Sequence, residues 1–378
     1  MKFFHISDLH LGKRLNEMPL LEDQVAILDQ ILAMADQLHP DGVVIAGDIY
    51  DKSVPPAEAV QVFDGFLTAL AERSIAALVI SGNHDSAERI GYGSRLMQTS
   101  GVYVSPVFDG SVTQAVLEDE FGRVRFHLLP FVKPAHVRRF FPDAEINDYT
   151  DAVRTVIDSM AVDTDERNVL VCHQNVTNTT SAHADEIAIG GLDNVNVDIF
   201  DGFDYVALGH IHTPAFIGRE GVRFCGAPLE YSFNEVGREV SLTVVEMGEK
   251  GDVRVSTLPL EPVRRLRKLR GSFAELTSVD FYKNEKRDDY FHIILTDEED
   301  IEEAVSRLRD IYPNVMQLEY DNSRTRRIQS VASGVAQEDK TPLEQFEQFY
   351  ERQNNLPLTD IQRDAVGRLI EEIWEGQI

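Results

Sequence analysis

From residue 1 to about residue 230 the chain repeats one pattern: a short apolar run, rich in β-branched residues, that ends in a small polar or charged cluster. The runs are Phe3–Ser7, Gly42–Ala46, Ala77–Ser81, Val169–Cys172 and Tyr205–Leu208. Apolar runs this short, separated by helical patterns, read as buried strands of an α/β domain. Between them, Glu22–Leu38 carries Val25, Leu28, Ile31, Leu32 and Ala35 as a helical stripe. A second helical stretch, Ala57–Ala71, carries Val60, Phe63, Leu67 and Leu70 at near-heptad spacing. That spacing suits a partner helix and suits packing on the sheet equally well. Val102–Pro130 alternates apolar and polar residues and reads as antiparallel strands; Arg223–Ala227 and Val240–Val245 read as further strands.

The pattern changes near Leu260-Glu261-Pro262, where the basic stretch Arg264, Arg265, Arg267, Lys268 and Arg270 begins. Residues 263–330 read as a small α+β domain, with strands at Tyr290–Leu295 and Val315–Tyr320 and a helix at Glu302–Ile311. A polar linker, Ser330–Lys340, leads to a tail with two capping boxes, at Thr341-Pro342-Leu343-Glu344 and Thr359-Asp360-Ile361-Gln362. The helices they open present Leu343, Phe346 and Phe349, then Ile361, Ala365, Leu369, Ile373 and Trp374. Two short helices bury too little to stand alone, so they are expected to dock on this protein or on a partner. Three parts follow: 1–262, 263–330 and 331–378.

Composition supports this division. A chain of 378 residues exceeds one ordinary core. Hydrophobic residues at 43% and charged residues at 26% are ordinary for a soluble globular protein. No apolar run approaches the roughly 18 residues of a membrane span, and the N-terminus reads as a strand rather than a secretory signal, so a cytoplasmic location is expected. Cys172 and Cys225 are too few for a disulfide framework, and Cys172 reads as a core residue. The net charge of −28 argues against a free-standing nucleic-acid binder. It leaves room for a nuclease whose metal ions and partner supply the positive charge.

The polar clusters carry the chemistry. They are Asp8-Leu9-His10, Gly47-Asp48, Gly82-Asn83-His84-Asp85, His173 and Gly209-His210-Ile211-His212, each behind one of the five runs. Ligands of open α/β sheets bind beyond the carboxyl ends of the strands, so the five clusters are expected to converge on one site. Asp8 with His10, and His210 with His212, are two residues apart; in extended chain each pair would point the same way. Carboxylate, imidazole and amide oxygens suit divalent first-row ions, and no thiolate is present to suggest a closed structural zinc site. Seven candidate ligands, Asp8, His10, Asp48, Asn83, His173, His210 and His212, exceed the need of one ion. Two ions about 3.5–4 Å apart would divide them, with Asp48 as the bridge. Glycines before Asp48, Asn83 and His210 allow sharp turns and close approach. His84, on a turn, is expected to face substrate and donate a hydrogen bond or proton, with Asp85 orienting it. Among the remaining histidines His5 reads as a core or edge residue, and His39, His127, His136 and His292 lack metal-like context. His183 lies in a polar stretch that could reach substrate.

The series D-x-H, GD, GNHD, H and G-H-x-H resembles the calcineurin-like metallophosphoesterases. The segments HISDLHLGK, VVIAGDIYDKSVPPAEAV, VISGNHDSAERIGYGS, LPFVKP, VCHQNV, YVALGHIHTPAFI and FCGAPLEYSFNE closely resemble the SbcD family of nuclease subunits, from residue 1 to about 270. The later domain and tail match in layout more than in motif. The resemblance implies a β-sandwich flanked by helices, a small α+β capping domain and a C-terminal helical tail. It implies one ion, expected to be manganese, held by Asp8, His10, Asp48 and His212. A second would be held by Asp48, Asn83, His173 and His210, with His84 as catalytic histidine. It further implies a homodimer paired with a coiled-coil ATPase, SbcC, on whose coiled-coil base the tail docks. The heterotetramer would act as a double-strand exonuclease and as an endonuclease on hairpins and single strands, in DNA repair, recombination and replication. Distant nuclease relatives carry a histidine soon after the bridging aspartate; this chain has Asp51 there, read as a solvated turn residue.

Two other readings compete. A small-molecule phosphodiesterase or phosphatase would use the same site but needs neither the extra domain nor the tail. A non-catalytic scaffold is disfavoured because every ligand position is filled and His84 is present. The basic stretch from Arg264 to Arg270 reads either as a DNA contact or as a solvated linker.

Overall fold

The structure, a computed structural model, describes residues 1–178, 193–283, 285–323 and 325–326, and beyond these 343, 346–347, 350, 358–359, 362–363 and 365–367. The expected helices of the tail and His183 therefore lie wholly or largely outside the described residues. By spatial proximity the chain divides into two compact units. The larger holds Met1–Leu269, Thr277–Ile293 and Glu303–Leu318; the smaller holds Arg270–Leu276, Ile294–Glu302 and the described residues after Leu318.

The larger unit is a β-sandwich flanked by helices. Its first sheet contains β1 (Lys2–Ile6), β2 (Gly42–Ala46), β3 (Ala76–Ile80) and β4 (Val102–Val104). Its second contains β5 (Thr113–Asp119), β6 (Gly122–Leu129), β7 (Arg167–His173), β8 (Tyr205–Gly209), β9 (Ala215–Ile217) and β10 (Arg219–Phe224). β11 (Ser241–Met247) and β12 (Val253–Pro259) return to the first sheet, giving the orders β12-β11-β1-β2-β3-β4 and β9-β10-β8-β7-β6-β5. β1 to β4 run parallel, as do β6, β7, β8 and β10.

Residue alternation explains why two sheets form rather than one. Phe3, Val44, Ala46, Leu78 and Ile80 of the first sheet share a core with Phe126, Val169, Val171, Tyr205 and Ala207 of the second. The residues between them face outward. Phe4, Val43, Ile45, Ala77 and Val79 pack under α1 (Leu21–Leu38) and α2 (Ala57–Glu72). Leu170, Cys172, Val206 and Leu208 pack under α3 (Tyr149–Ser159). Because both faces of each central strand are covered, the strands read as unbroken apolar runs.

Several expectations are refined. Phe63, Leu67 and Leu70 of α2 are buried on the first sheet, and of the heptad-like set only Val60 stays exposed. Val102–Pro130 holds one antiparallel hairpin, β5–β6, but β4 is a parallel edge strand of the other sheet, reached through the short helices Ala87–Ile90 and Ser94–Met97. Parallel pairing requires such a crossover. No helix among the described residues is long and apolar enough to cross a membrane.

The basic stretch is a strand, β13 (Leu266–Gly271), in a three-stranded sheet ordered β13-β14-β15 with β14 (Tyr290–Leu295) and β15 (Val315–Tyr320). The reading of it as a solvated linker is therefore corrected. Arg264 is paired with Glu22 and Asp23, Arg267 with Glu285 and Asp289, and Arg270 with Asp321. Leu266 and Leu269 are buried. In the smaller unit, Asp321 also pairs with Arg326, and Glu298 accepts from the backbone and hydroxyl of Ser323.

Candidate metal centre

The five polar clusters leave the carboxyl ends of β1, β2 and β3 in one sheet and β7 and β8 in the other. Both sets of ends lie at the same edge of the sandwich: His173, at the end of β7, has Nδ1 2.8 Å from the carbonyl of Ala46 at the end of β2 and Nε2 3.3 Å from Asp48 Oδ2. The ligands do not converge by extended spacing, as the sequence suggested. Asp8, His10, Asp48 and His210 have φ of +53°, +44°, +50° and +101°, so the chain turns at the ligands themselves. Left-handed backbone at non-glycine residues costs of order 1–3 kcal/mol each and persists only where the surroundings enforce it. Here the turns are enforced by a backbone ladder: Asp8 N–H donates to the Gly47 carbonyl (3.0 Å), His10 N–H to Asp48 (3.0 Å) and Leu11 N–H to Ile49 (2.8 Å). From behind, the buried Gln24 amide donates to the carbonyls of Leu9 (3.0 Å) and His10 (2.7 Å), and the Tyr231 hydroxyl donates to Leu9.

Close approach explains two of the glycines. A Cβ at Gly82 would stand 2.2 Å from Asp48 Oδ1, and one at Gly209 would stand 2.0 Å from the Ala46 carbonyl. Any larger residue would separate the strand ends and the two sheets.

Side-chain donors then meet within hydrogen-bond range. His10 Nε2 and His212 Nε2 are 3.2 Å apart. Asp48 Oδ2 lies 3.3 Å from His173 Nε2 and 3.8 Å from His10 Nε2. Asn83 Oδ1 lies 3.1 Å from His173 Nε2 and 3.0 Å from His210 Nδ1. Three groups have ligand atoms all within 4.8 Å of one another: Asp8, His10 and His212; His10, Asp48 and His84; and Asp8, Asp48 and His173. Asp8, His10 and Asp48 each belong to two groups. Two donors about 2.1 Å from a common ion and at right angles to each other stand about 3 Å apart, so the His10–His212 spacing fits shared coordination.

The electrostatics also fit a cation. Burial pushes the Asp8 carboxyl above its ordinary range. Burial pushes Asp48 up as well, but His173, His10 and the His84 N–H (2.9 Å) outweigh it and hold Asp48 below the usual carboxylate range. His173 moves the opposite way: burial pulls it down, Asp48 prevails, and it is raised to about 9. Burial lowers His10 to about 3 and His210 to about 4, leaving neutral imidazoles with free lone pairs. A divalent ion that takes His173 Nε2 as a ligand must displace its proton, as metal sites generally do. His173 Nδ1 faces the Ala46 carbonyl at 2.8 Å, which fixes the ring.

His84 is exposed yet close to the cluster: its ring centroid lies 4.9 Å from that of His10, and its Nδ1 lies 3.0 Å from the Asp51 carbonyl. Asp85 has partners other than those expected. Its carboxylate accepts from the backbone N–H groups of Gly82 (2.8 Å), Tyr50 (2.9 Å) and Ile49 (3.1 Å), so it joins the loop after β3 to the loop after β2 and does not reach the His84 ring. Asp51 is not a solvated turn residue: its carboxylate pairs with Lys13 at 2.6 Å. Sequence reasoning missed Gln24, Tyr231, Glu235 and Arg238. The segment FCGAPLEYSFNE flagged two of them without assigning roles; Gln24 was hidden inside an amphipathic helix. Of the other histidines, His5 is buried inside the sandwich, as expected of a core residue, with Nδ1 2.9 Å from the Tyr205 hydroxyl; His127 meets Asn168 (2.9 Å), and His39 ends α1 in left-handed backbone.

Comparison with known proteins agrees with this geometry. Residues 1–214 match the calcineurin-like phosphoesterase family, and residues 262–354 match a domain described as the type 5 capsule protein repressor C-terminal domain. Two solved structures align with TM-scores too low to argue from. A dimetal phosphatase from Danio rerio is 13% identical, covering 69% of this chain and 99% of that one, with a TM-score of 0.39. A 5'-nucleotidase precursor from Thermus thermophilus is 15% identical, covering 69% and 54%, with a TM-score of 0.37. The sandwich and its strand-end ligands are those of a metal-dependent phosphodiester hydrolase. One curated relative, the SbcD component of the nuclease SbcCD from Staphylococcus epidermidis, is 31% identical over 386 residues and matches all of both chains. The chain belongs to the SbcD family within the calcineurin-like phosphoesterases.

Proposed function

We propose that this chain is the nuclease subunit of an SbcCD-type complex, a metal-dependent enzyme that hydrolyses DNA phosphodiesters together with an SbcC-type ATPase. The observation that carries this reading is the match of the whole chain, C-terminal module included, to a nuclease subunit, supported by groups at the strand ends that could hold metal ions. A small-molecule phosphatase would account for the site but not for residues 262–354.

In this reading Asp8, His10, Asp48 and His212 hold one ion, and Asp48, Asn83, His173 and His210 hold the other, with manganese as the expected metal. Bound ions would supply an activated water and neutralise charge on the phosphoryl oxygens. The chain's own contribution is positional. Asp48 sits between His10 and His173, where it can serve both ions. The Asp51 carbonyl places the His84 proton on Nδ1 in the neutral ring. Once protonated, His84 can donate from Nε2 to the leaving oxygen. Asp85 keeps the loops after β2 and β3 in register. The domains at 1–262 and 263–330 act as nuclease core and cap, and 331–378 dock on the partner's coiled coil. Exposed Val54, Val60, Tyr92 and Leu96 support a homodimer contact within a heterotetramer. Duplex ends and hairpins are the substrates, and the cytoplasm is the place of action.

The test is cleavage of linear duplex DNA and of a small phosphodiester by the full chain with Mn²⁺, with and without its ATPase partner. Duplex cleavage that chelator and His84→Ala both abolish supports the nuclease. Cleavage of the small ester with DNA left intact, even with the partner present, overturns it.

A further inference from the structure

The ligand His212 is held by a carboxylate that lies beyond residues 1–214, the part of the chain matching the calcineurin-like phosphoesterases. Its Nδ1 is 2.9 Å from Glu235 Oε1, while its Nε2 faces His10 Nε2 at 3.2 Å. Glu235 sits on the short 3₁₀ turn Phe233–Glu235, largely shielded from solvent. Its second oxygen accepts from the Tyr231 backbone N–H (3.0 Å) and from Arg238 Nη2 (3.2 Å). Arg238 in turn donates to the carbonyls of His212, Ala227 (3.0 Å) and Leu229 (2.6 Å). The Ala227 N–H also donates to the His212 carbonyl at 2.9 Å. His212 is thus gripped at its ring and at its backbone by one segment, 227–238.

We infer that Glu235 is a positioning residue for the metal centre, fixing His212 with its proton on Nδ1 and its Nε2 lone pair turned to the ion. A carboxylate behind a ligating imidazole selects the tautomer, locks the ring and raises its basicity. The other histidine ligands are held differently: His173 Nδ1 faces a backbone carbonyl, and His10 Nδ1 lies 4.0 Å from the Asp51 carboxylate, beyond hydrogen-bond reach. Among the described residues, His212 is the ligand of the set with a glutamate behind it, so the ion it shares with His10 and Asp8 should feel the loss of Glu235 most. Arg238 balances the added charge and keeps the carboxylate from turning toward the ion itself.

The inference rests on the two-metal reading, and its test separates the two. Mn²⁺ is titrated calorimetrically into the metal-free full chain, wild type beside Glu235→Gln and Glu235→Ala, and cleavage is followed against Mn²⁺ concentration. Glu235→Ala is expected to weaken one of the two binding events by about 10–100-fold and leave the other unchanged. Glu235→Gln, which keeps an acceptor but no charge, falls between. Activity in both should return as Mn²⁺ is raised, which a merely structural defect would not allow. Wild-type affinity for both ions in Glu235→Ala overturns the inference; if that variant does not fold, wild-type affinity in Glu235→Gln does so. Failure of the wild type to bind Mn²⁺ at all overturns the two-metal reading instead.

Discussion

The two ends of the sandwich treat buried charge in opposite ways. At the amino ends of β6 and β7, Arg167 is 4% exposed and meets Asp119 at 2.5 Å, with further hydrogen bonds to the carbonyls of Gly122 and Gly248. Its charge is answered by the protein. At the carboxyl ends, two buried carboxylates and a ring of histidines converge, with the imidazoles of His10 and His212 turning nitrogens toward one another. That set joins buried carboxylates to imidazoles that burial keeps neutral at His10 and His210, an arrangement suited to a cation from outside the chain. Backbone geometry repeats the contrast: Asp8, His10, Asp48 and His210 have positive φ, whereas neither Arg167 nor Asp119 does. Strain and converging donor groups together mark the functional end, and either feature alone would be weaker evidence.

The contrast is open to attack from both ends. The largest effect is expected from Asp48→Asn, which should lower phosphodiester cleavage by on the order of a thousandfold, about 4 kcal/mol in the barrier, while the metal-free chain keeps its fold by circular dichroism. His84→Ala should lower kcat by about 10²–10⁴-fold with Mn²⁺ affinity unchanged, since the ring assists the reaction without holding an ion. At the other end, Arg167→Met should cost about 1–3 kcal/mol in urea unfolding by removing one of the two cations at Asp119, the Met1 ammonium remaining, with kcat per folded molecule unchanged. Mn²⁺ at a hundred times its dissociation constant should stabilise the wild type by about 2.7 kcal/mol, and Asp48→Asn should lose most of that gain.

The smallest effect is a pH dependence. Arg167 beside Asp119 holds its carboxyl well below the usual carboxylate range. The stability this pair gives is therefore fully present above about pH 4, the ordinary carboxylate value, and is lost as pH falls toward the depressed one. Melting temperature measured downward from pH 5 should fall less steeply in Asp119→Asn than in the wild type.

Much of the functional end was legible in the sequence because its signals are local. A strand that runs apolar to its last residue and then presents Asp48, Asn83 or His210 behind a glycine announces both the strand and a candidate ligand at its end. What was not legible depends on contacts distant in sequence. The positive φ at Asp8 and His10 arises from a ladder to residues 47–49, so these residues meet by a turn that the extended-spacing argument for D-x-H did not foresee. Gln24 looked like a polar position on an amphipathic helix, yet it is buried against the Leu9–His10 backbone. Asp85 looked like a partner for its neighbour His84 but binds three backbone N–H groups. The basic stretch looked free because its acidic partners, Glu22, Asp23, Glu285, Asp289 and Asp321, are scattered along the chain.

The most direct test of the metal centre is anomalous X-ray scattering from crystals of the full chain grown with Mn²⁺. Two peaks about 3.5–4 Å apart, with Asp48 between them, His10 and His212 on one and His173, His210 and Asn83 on the other, are the result this account predicts. A single peak, or two that do not share Asp48, would contradict it.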